Sequence, residues 1–227
     1  MEKHRHRLGG LRRRDEFVLE RCAGRRVLHV GAADSPYHER AFAAGRWLHA
    51  WIGERTRELV GIDYDGDAVT WLQGRGVRDI REFNAEALES LDELPFDVVL
   101  AAEVLEHLSN PGRFLDGAHT VLKPGGVLII TAPNAFWSHG IAFSALRMES
   151  VHPDHNYYFS PTTLKTLLGK HGFAVKETIP CMAPASSSLR SRAVGLFARV
   201  MTMISPWYAD GWIVVASAAN EGSAGPS

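Results

Sequence analysis

The stretch FDVVLAAEVLEHLSNPGRFLDGAHTVLKPGGVLIIT, residues 96–131, decides the fold. Phe96–Ala101 is a nearly continuous apolar run of strand length, and Val127–Thr131 is another. Such runs belong in a sheet covered on both faces. Between them, Ser109-Asn110-Pro111 supplies an N-cap and a first-turn proline, and a helix follows to about Leu122. Lys123-Pro-Gly-Gly126 closes that helix, with Pro124 and Gly125 suited to the central positions of a type II turn. Strand, helix and strand in this order make a βαβ unit with parallel strands.

Working outward, Arg26–Val30 (RVLHV) and Glu58–Ile62 (ELVGI) read as strands, with Val77–Glu82 a weaker one. Downstream, Ser160-Pro161 starts a helix that Gly172 ends from the C′ position. Phe173–Ile179 and Trp212–Ser217 add two strands around an amphipathic helix over Leu189–Ile204, with Val194, Phe197, Val200, Met201 and Ile204 apolar. The fold expected is α/β: a doubly wound, mostly parallel seven-stranded sheet ending in a C-terminal antiparallel strand. It spans residues 26–219. A basic, helical extension over 1–25 precedes it, and a small polar tail over 220–227, read as flexible, follows.

The 227 residues suffice for a full core without staples. Net charge is -1, which gives no global field for nucleic acid or an acidic membrane and argues against both. No apolar run is long enough to span a bilayer. Met1-Glu-Lys-His-Arg-His-Arg has charges with no apolar segment behind them, unlike a secretory signal. The two cysteines, Cys22 and Cys181, lack metal-ligand spacing and point to a reducing, cytoplasmic setting. Arg12-Arg-Arg14 reads as a solvated helix face, with contact to a phosphate or carboxylate as the alternative.

Val27-Leu-His-Val-Gly-Ala-Ala-Asp-Ser-Pro36 is a strand leading into a tight small-residue turn, which lets a ligand approach the backbone. Gly31 is present, but Ala33 and Ser35 stand where further glycines are usual. Glu58–Ile62 runs on into Asp63, a carboxylate at the same sheet edge that can accept both hydroxyl hydrogens of a ribose. The competing role for Asp63, capping the next helix, falls more naturally to Asp65 or Asp67. After the third strand, Asn84 and the backbone of Ala85 can read an adenine edge or simply form a surface turn.

In this order, VLHVGAADSP, LVGIDYD, FNAEAL, FDVVLAAEVLEHLSNP and VLKPGGVLIITAPN resemble the class I S-adenosylmethionine-dependent methyltransferases, over roughly Arg26–Gly172. The resemblance implies a Rossmann-like methyltransferase fold with S-adenosylmethionine as cofactor. It places Gly31 and Ala33 at the methionine end, Asp63 on the ribose, and Asn84 with Ala85 at the adenine. It also sets Tyr64 and Ala102 against the cofactor, and it is compatible with a homodimer. His29 departs from it, standing where an acidic residue is common. Residues 37–57 are an insertion expected to extend a helix or cover part of the site. A nicotinamide dehydrogenase shares the first two features but normally carries a fuller G-x-G-x-x-G.

The chemical end lies in Glu103-Val-Leu-Glu-His107. On a helix, Glu103, Glu106 and His107 share one face, forming a candidate site for a divalent metal such as Mg, Mn or Zn. Val151-His-Pro-Asp-His155 can add His155. This set resembles two metal-assisted groups, the small-RNA terminal 2′-O-methyltransferases and the ubiquinone-biosynthesis O-methyltransferases, which carry Glu-x-x-Glu-His. Two other readings stand beside it: His107 or His155 as a metal-free general base, or a structural set in which Glu106 is a solvated helix residue, His107 packs against the next helix, and His152 and His155 order a loop. Glu103 is also a candidate contact for the methionine moiety or the acceptor. Tyr157, Tyr158 and Phe159 are candidate pocket walls, with core packing expected of at least one of them, and Phe136 and Trp137 are similar lid or pocket candidates. HPDHNYYFSPTTLKTLLGKHGF, residues 152–173, resembles bacterial methyltransferases of glycan or secondary-metabolite assembly. The expected activity is O-methylation of a small-molecule or glycan hydroxyl; the alternatives are N- or C-methylation, or a non-catalytic domain that keeps the fold.

Overall fold

A computed structural model of the chain describes residues 7–149, 151–182 and 189–219. Its strands are β1 (Arg12–Arg13), β2 (Arg26–Val30), β3 (Glu58–Asp63), β4 (Ile80–Glu82), β5 (Phe96–Ala102), β6 (Leu122–Pro133), β7 (Phe173–Met182) and β8 (Gly211–Ala218). The helices are α1 (Arg14–Cys22), α2 (His38–Ala43), α3 (Leu48–Gly53), α4 (Gly66–Gln73), α5 (Pro111–Val121), α6 (Ser138–Ala145), α7 (Pro161–Lys170) and α8 (Leu189–Ile204).

The strands form one sheet in the order β1-β7-β8-β6-β5-β2-β3-β4. From β2 the chain winds outward through β3 and β4. It then returns to β5 on the other side and winds toward β6. The switch point therefore lies between β2 and β5, and ligands of such sheets bind outside the carboxyl ends of those strands. β8 runs antiparallel to both β6 and β7, and every other pairing is parallel. The sheet thus has one strand more than the sequence indicates. The addition, β1, is two residues long and pairs Arg12 with Cys181 and Arg13 with Met182.

All five residues of β2 are buried, as expected of a strand covered on both faces. Leu28 and Val30 pack with Phe114, Leu115 and Leu164 on one side of the sheet. On the other side, Val27 packs with Phe17, Val18 and Ile52. α1 is therefore part of the core that covers β2 and β5.

The punctuation signals place their elements closely. Asn110 caps α5 by accepting the Arg113 N–H at 3.2 Å. Ser160 and Thr163 form a reciprocal capping box on α7. Gly125 has φ +79°, the left-handed geometry the second central position of its turn requires. Leu122 already pairs with Phe96 before that turn, so the turn interrupts β6 rather than preceding it. The third strand begins at Ile80 and not at Val77, which packs instead against the cluster beneath α4. Residues 37–57 do not extend one helix. They form the short α2 and α3, and α3 buries His49 and Ile52. The 220–227 tail lies outside the described residues.

Candidate cofactor and acceptor site

Gly31 follows β2 with φ +74°, and a Cβ there would lie 2.6 Å from Val104 Cγ2. Only glycine fits this turn. The N–H groups of Gly31 and Ala32 donate to Ile62 O at 2.9 and 3.0 Å. The Ala33 N–H donates to Asp63 Oδ2 at 2.8 Å, and the Asp65 N–H to Asp63 Oδ1 at 3.0 Å. Each Asp63 oxygen thus accepts one backbone N–H and keeps a second acceptor position, which is what a ribose diol needs. Burial pushes the Asp63 carboxyl above its ordinary range, against those hydrogen bonds. Helix capping falls to Asp65, whose Oδ1 accepts the Ala68 N–H at 3.0 Å. The donor set at the β2 and β3 ends fits a bound nucleoside.

Tyr64 follows Asp63 and is 81% exposed, a free aromatic face at the same edge. Asn84 follows β4, but its Oδ1 already accepts the Glu86 N–H at 2.9 Å, capping a 3-10 turn over Ala85–Ser90. Ala102 closes β5.

Residues 103–107 form a turn. Asn110-Pro111 starts the helix after them, so Glu103, Glu106 and His107 do not share a helical face. Glu103 takes φ +56°, an unusual backbone for a non-glycine residue at a strand's carboxyl end. Its carboxylate accepts the Thr131 hydroxyl at 2.7 Å and stands 3.8 Å from Arg14 Nη1. Burial works against the Arg14 charge, but Glu103 and Asp15 outweigh it and raise its pKa. Arg12 and Arg13 pair with Glu20 and Glu16 at the surface. Arg12 and Arg13 are exposed as expected, but on strand β1 and not on a helix; Arg14, which starts α1, turns inward beside the crevice.

Glu106 is fully buried, and neither carboxylate oxygen makes a hydrogen bond. Burial, followed by the nearby Glu103, pushes its pKa to about 9. Its backbone carbonyl accepts the N–H groups of Asn156 at 2.7 Å and Tyr157 at 3.3 Å. Asn156 Nδ2 donates to His107 O at 3.0 Å, and the Tyr157 hydroxyl donates to Ser109 O at 3.1 Å. These bonds fasten the 151–159 loop onto the turn after β5.

The fastening brings His107, His152 and His155 together, with one ring nitrogen of each within 4.8 Å of the others. His155 is met as expected, and His152 joins it. No carboxylate belongs to this group among the described residues. His107 Nδ1 donates to Asp154 O at 3.2 Å, leaving Nε2 free. His152 Nδ1 accepts the Asp154 N–H at 3.3 Å. His155 Nδ1 is buried without a partner. Burial and the two neighbouring imidazoles hold the His155 pKa below its ordinary value, so the ring is neutral near pH 7. Tyr158 packs edge-on against His155 at 5.8 Å. Phe136 is half exposed in the turn before α6, its ring 6.2 Å from Trp207.

An α/β sheet with a glycine turn, a ribose-type carboxylate and a chemical cluster around its switch point defines a Rossmann-like nucleotide-cofactor enzyme. The family model described as "Methyltransferase domain" matches residues 1–178, and the chain belongs to this family of S-adenosylmethionine-dependent methyltransferases. A "probable S-adenosylmethionine-dependent methyltransferase" of Mycolicibacterium smegmatis is 34% identical over 172 residues, covering 74% of this chain and 60% of that protein. The mitochondrial ubiquinone biosynthesis O-methyltransferase of Homo sapiens is 36% identical over 171 residues, covering 69% of this chain and 43% of that one. The chain therefore spans about half the length of these relatives.

Among solved structures, a SAM dependent methyltransferase from Archaeoglobus fulgidus matches with TM-score 0.55 at 20% identity, covering 89% of this chain and 93% of that one. The [4+2]-cyclase SpnF matches with the same TM-score of 0.55 and 20% identity, covering 90% and 80%. The second match shows that the fold alone does not specify the reaction.

Proposed function

We propose that the chain methylates a hydroxyl oxygen on a small molecule or a sugar-bearing acceptor. The observation that carries this reading is the three-histidine cluster fastened to the turn after β5, beside the switch-point crevice. When bound, S-adenosylmethionine supplies an electrophilic methyl group on a sulfonium. The chain's own residues do the rest.

Asp63 holds the ribose, with Gly31 and Ala33 lining the methionine end and Tyr64, Asn84, Ala85 and Ala102 around the base and the edge of the crevice. Glu103, fixed by Thr131 and Arg14, faces the methionine amine or the acceptor. Tyr157 and Tyr158 are half exposed and wall the acceptor side. Methyl transfer is an in-line displacement: an O–C bond forms as the S–C bond breaks, and the hydroxyl loses its proton. Holding the acceptor oxygen in line supplies much of the rate.

The proton needs a base, and neutral His155 and the free Nε2 of His107 both accept one. The same nitrogens can instead hold a divalent ion that lowers the hydroxyl pKa. Three imidazoles suit zinc better than magnesium, which prefers carboxylates. The fully buried Glu106 stays outside this cluster as a neutral acid, and Glu103 stays with Thr131. The buried free thiols Cys22 and Cys181 fit a cytoplasmic setting. No helix among the described residues is long and apolar enough to cross a membrane.

The test measures S-adenosylhomocysteine release from a panel of catechols, phenols and glycosides. His107→Ala and His155→Ala should each lower turnover by about 100-fold or more while cofactor affinity is retained. Wild-type turnover in both variants would overturn the role assigned to the cluster. Loss on chelation and recovery with zinc selects the metal-assisted form, and chelator-insensitive turnover selects the general base.

A further inference from the structure

β2 sends one polar side chain into the layer under α3. His29 is buried, and its Nδ1 lies 3.1 Å from Nδ1 of the equally buried His49, with the rings stacked at 5.3 Å. One nitrogen of this pair carries the proton and the other accepts it. Gly61 on β3 makes room, since a Cβ there would sit 2.5 Å from His49 Cε1. His49 Nε2, on the far side of the ring, is buried and faces Asp79 Oδ1 at 3.5 Å, an interaction that holds the Asp79 carboxyl below its ordinary range. At that length the pairing is weak, and a hydroxyl that bridges the two groups strengthens it.

His49 lines a cavity of about 420 Å³, with Phe42, Trp47, Trp51 and Asp79 among its walls. That volume suits a small molecule. The cavity is separate from the crevice: its walls at Gly53 and at 75–79 lead into the amino ends of β3 and β4. Arg75 and Arg78 balance Glu54 and Asp79 around it, so no net charge is selected. The indoles offer flat apolar surface. Trp47 also reaches the cofactor turn, where its Nε1–H donates to Ala32 O at 2.8 Å.

We propose that this cavity is a second ligand site for an uncharged, planar aromatic molecule bearing one hydroxyl. The ring lies against the indoles, and the hydroxyl pairs with His49 Nε2 and Asp79. Occupancy is transmitted to the cofactor turn through the Trp47–Ala32 hydrogen bond.

The experiment titrates phenol into the full chain by ligand-observed NMR, with toluene and benzoate alongside. Phenol should saturate one site, and toluene and benzoate should each bind roughly ten-fold more weakly. Trp51→Leu, at a half-buried position, and His49→Phe, which keeps a ring, should each weaken phenol by about ten-fold, with circular dichroism verifying the fold. Saturating phenol should shift S-adenosylhomocysteine affinity by about five-fold. No phenol binding, or binding that survives Trp51→Leu, would overturn the site. Unchanged S-adenosylhomocysteine affinity would overturn its link to the turn. Because phenols are also on the acceptor panel, the titration is repeated in His155→Ala, which leaves this cavity intact; phenol binding that is lost in His155→Ala would place it in the crevice and overturn the second site.

Discussion

Asp63 Oδ2 accepts the backbone N–H of Ala33 at 2.8 Å, so one carboxylate joins the end of β3 to the turn after β2. The bond aims the carboxylate and holds the turn with the same atoms. Asp63→Ala should weaken S-adenosylhomocysteine binding by roughly 100-fold through the lost ribose hydrogen bonds. Asp63→Asn keeps one acceptor oxygen and should lose less. Calorimetric titration of both variants checks the order, and equal affinities would remove Asp63 from the cofactor site.

Arg14 and Glu103, 3.8 Å apart and both partly shielded, should be energetically coupled. Arg14→Ala alone leaves the Glu103 and Asp15 carboxylates without their cation. It should cost about 1–3 kcal/mol in urea denaturation. A double-mutant cycle with Glu103→Ala should return a coupling of about 0.5–2 kcal/mol. Strict additivity would mean that Arg14 acts through Asp15 alone.

The three imidazoles make a spectroscopic prediction. Cobalt(II) titrated into metal-free protein should give one equivalent of visible absorption typical of a tetrahedral site with nitrogen donors. His152→Ala should weaken this by at least about ten-fold, because that ring completes the set. Absorption that is unaffected by His152→Ala would remove His152 from the set, and absence of absorption in the wild-type chain would leave His107 and His155 as bases.

Asp97, at the start of β5, answers to pH. Lys123 Nζ at 2.8 Å, the Arg26 N–H at 2.8 Å and Arg57 Nη2 at 2.9 Å hold its carboxyl below the ordinary 3.8. A depressed carboxyl pKa contributes stability above the unfolded value, and this is lost as pH falls through the folded one. Stability should therefore drop below about pH 4, and Asp97→Asn should flatten that part of the profile. At pH 7 the variant should cost about 1 kcal/mol, since the pairs are partly open to solvent. An unchanged acid limb in thermal melts would contradict this.

Much of the fold was legible because it is local. The apolar runs of β2, β5 and β6 require a doubly covered sheet. Asn110-Pro111, Ser160-Pro161 and Gly172 mark their helix ends through chemistry contained in a few residues. β1 was not legible, because two arginines become a strand only by pairing with Cys181 and Met182 across the fold. Residues 103–107 misled for a related reason. The i, i+3, i+4 spacing suits a helix, but the cap and proline that start α5 lie at positions 110 and 111.

The site was legible in pieces. His107 and His155 do come together, but through hydrogen bonds from the Glu106 carbonyl to Asn156 and Tyr157, which no spacing rule encodes. The same bonds bring in His152 and leave the two carboxylates outside the histidine group. Arg14 was hidden within a basic triplet whose other two members are solvated. Its direction is set by α1 packing Phe17 and Val18 against the sheet.

The most direct measurement of the central claim is calorimetric titration of the full chain with S-adenosylmethionine and S-adenosylhomocysteine. One site of micromolar order is expected for each, abolished or strongly weakened in Asp63→Ala. Absence of binding to both ligands at millimolar concentration, in protein shown to be folded, would contradict it.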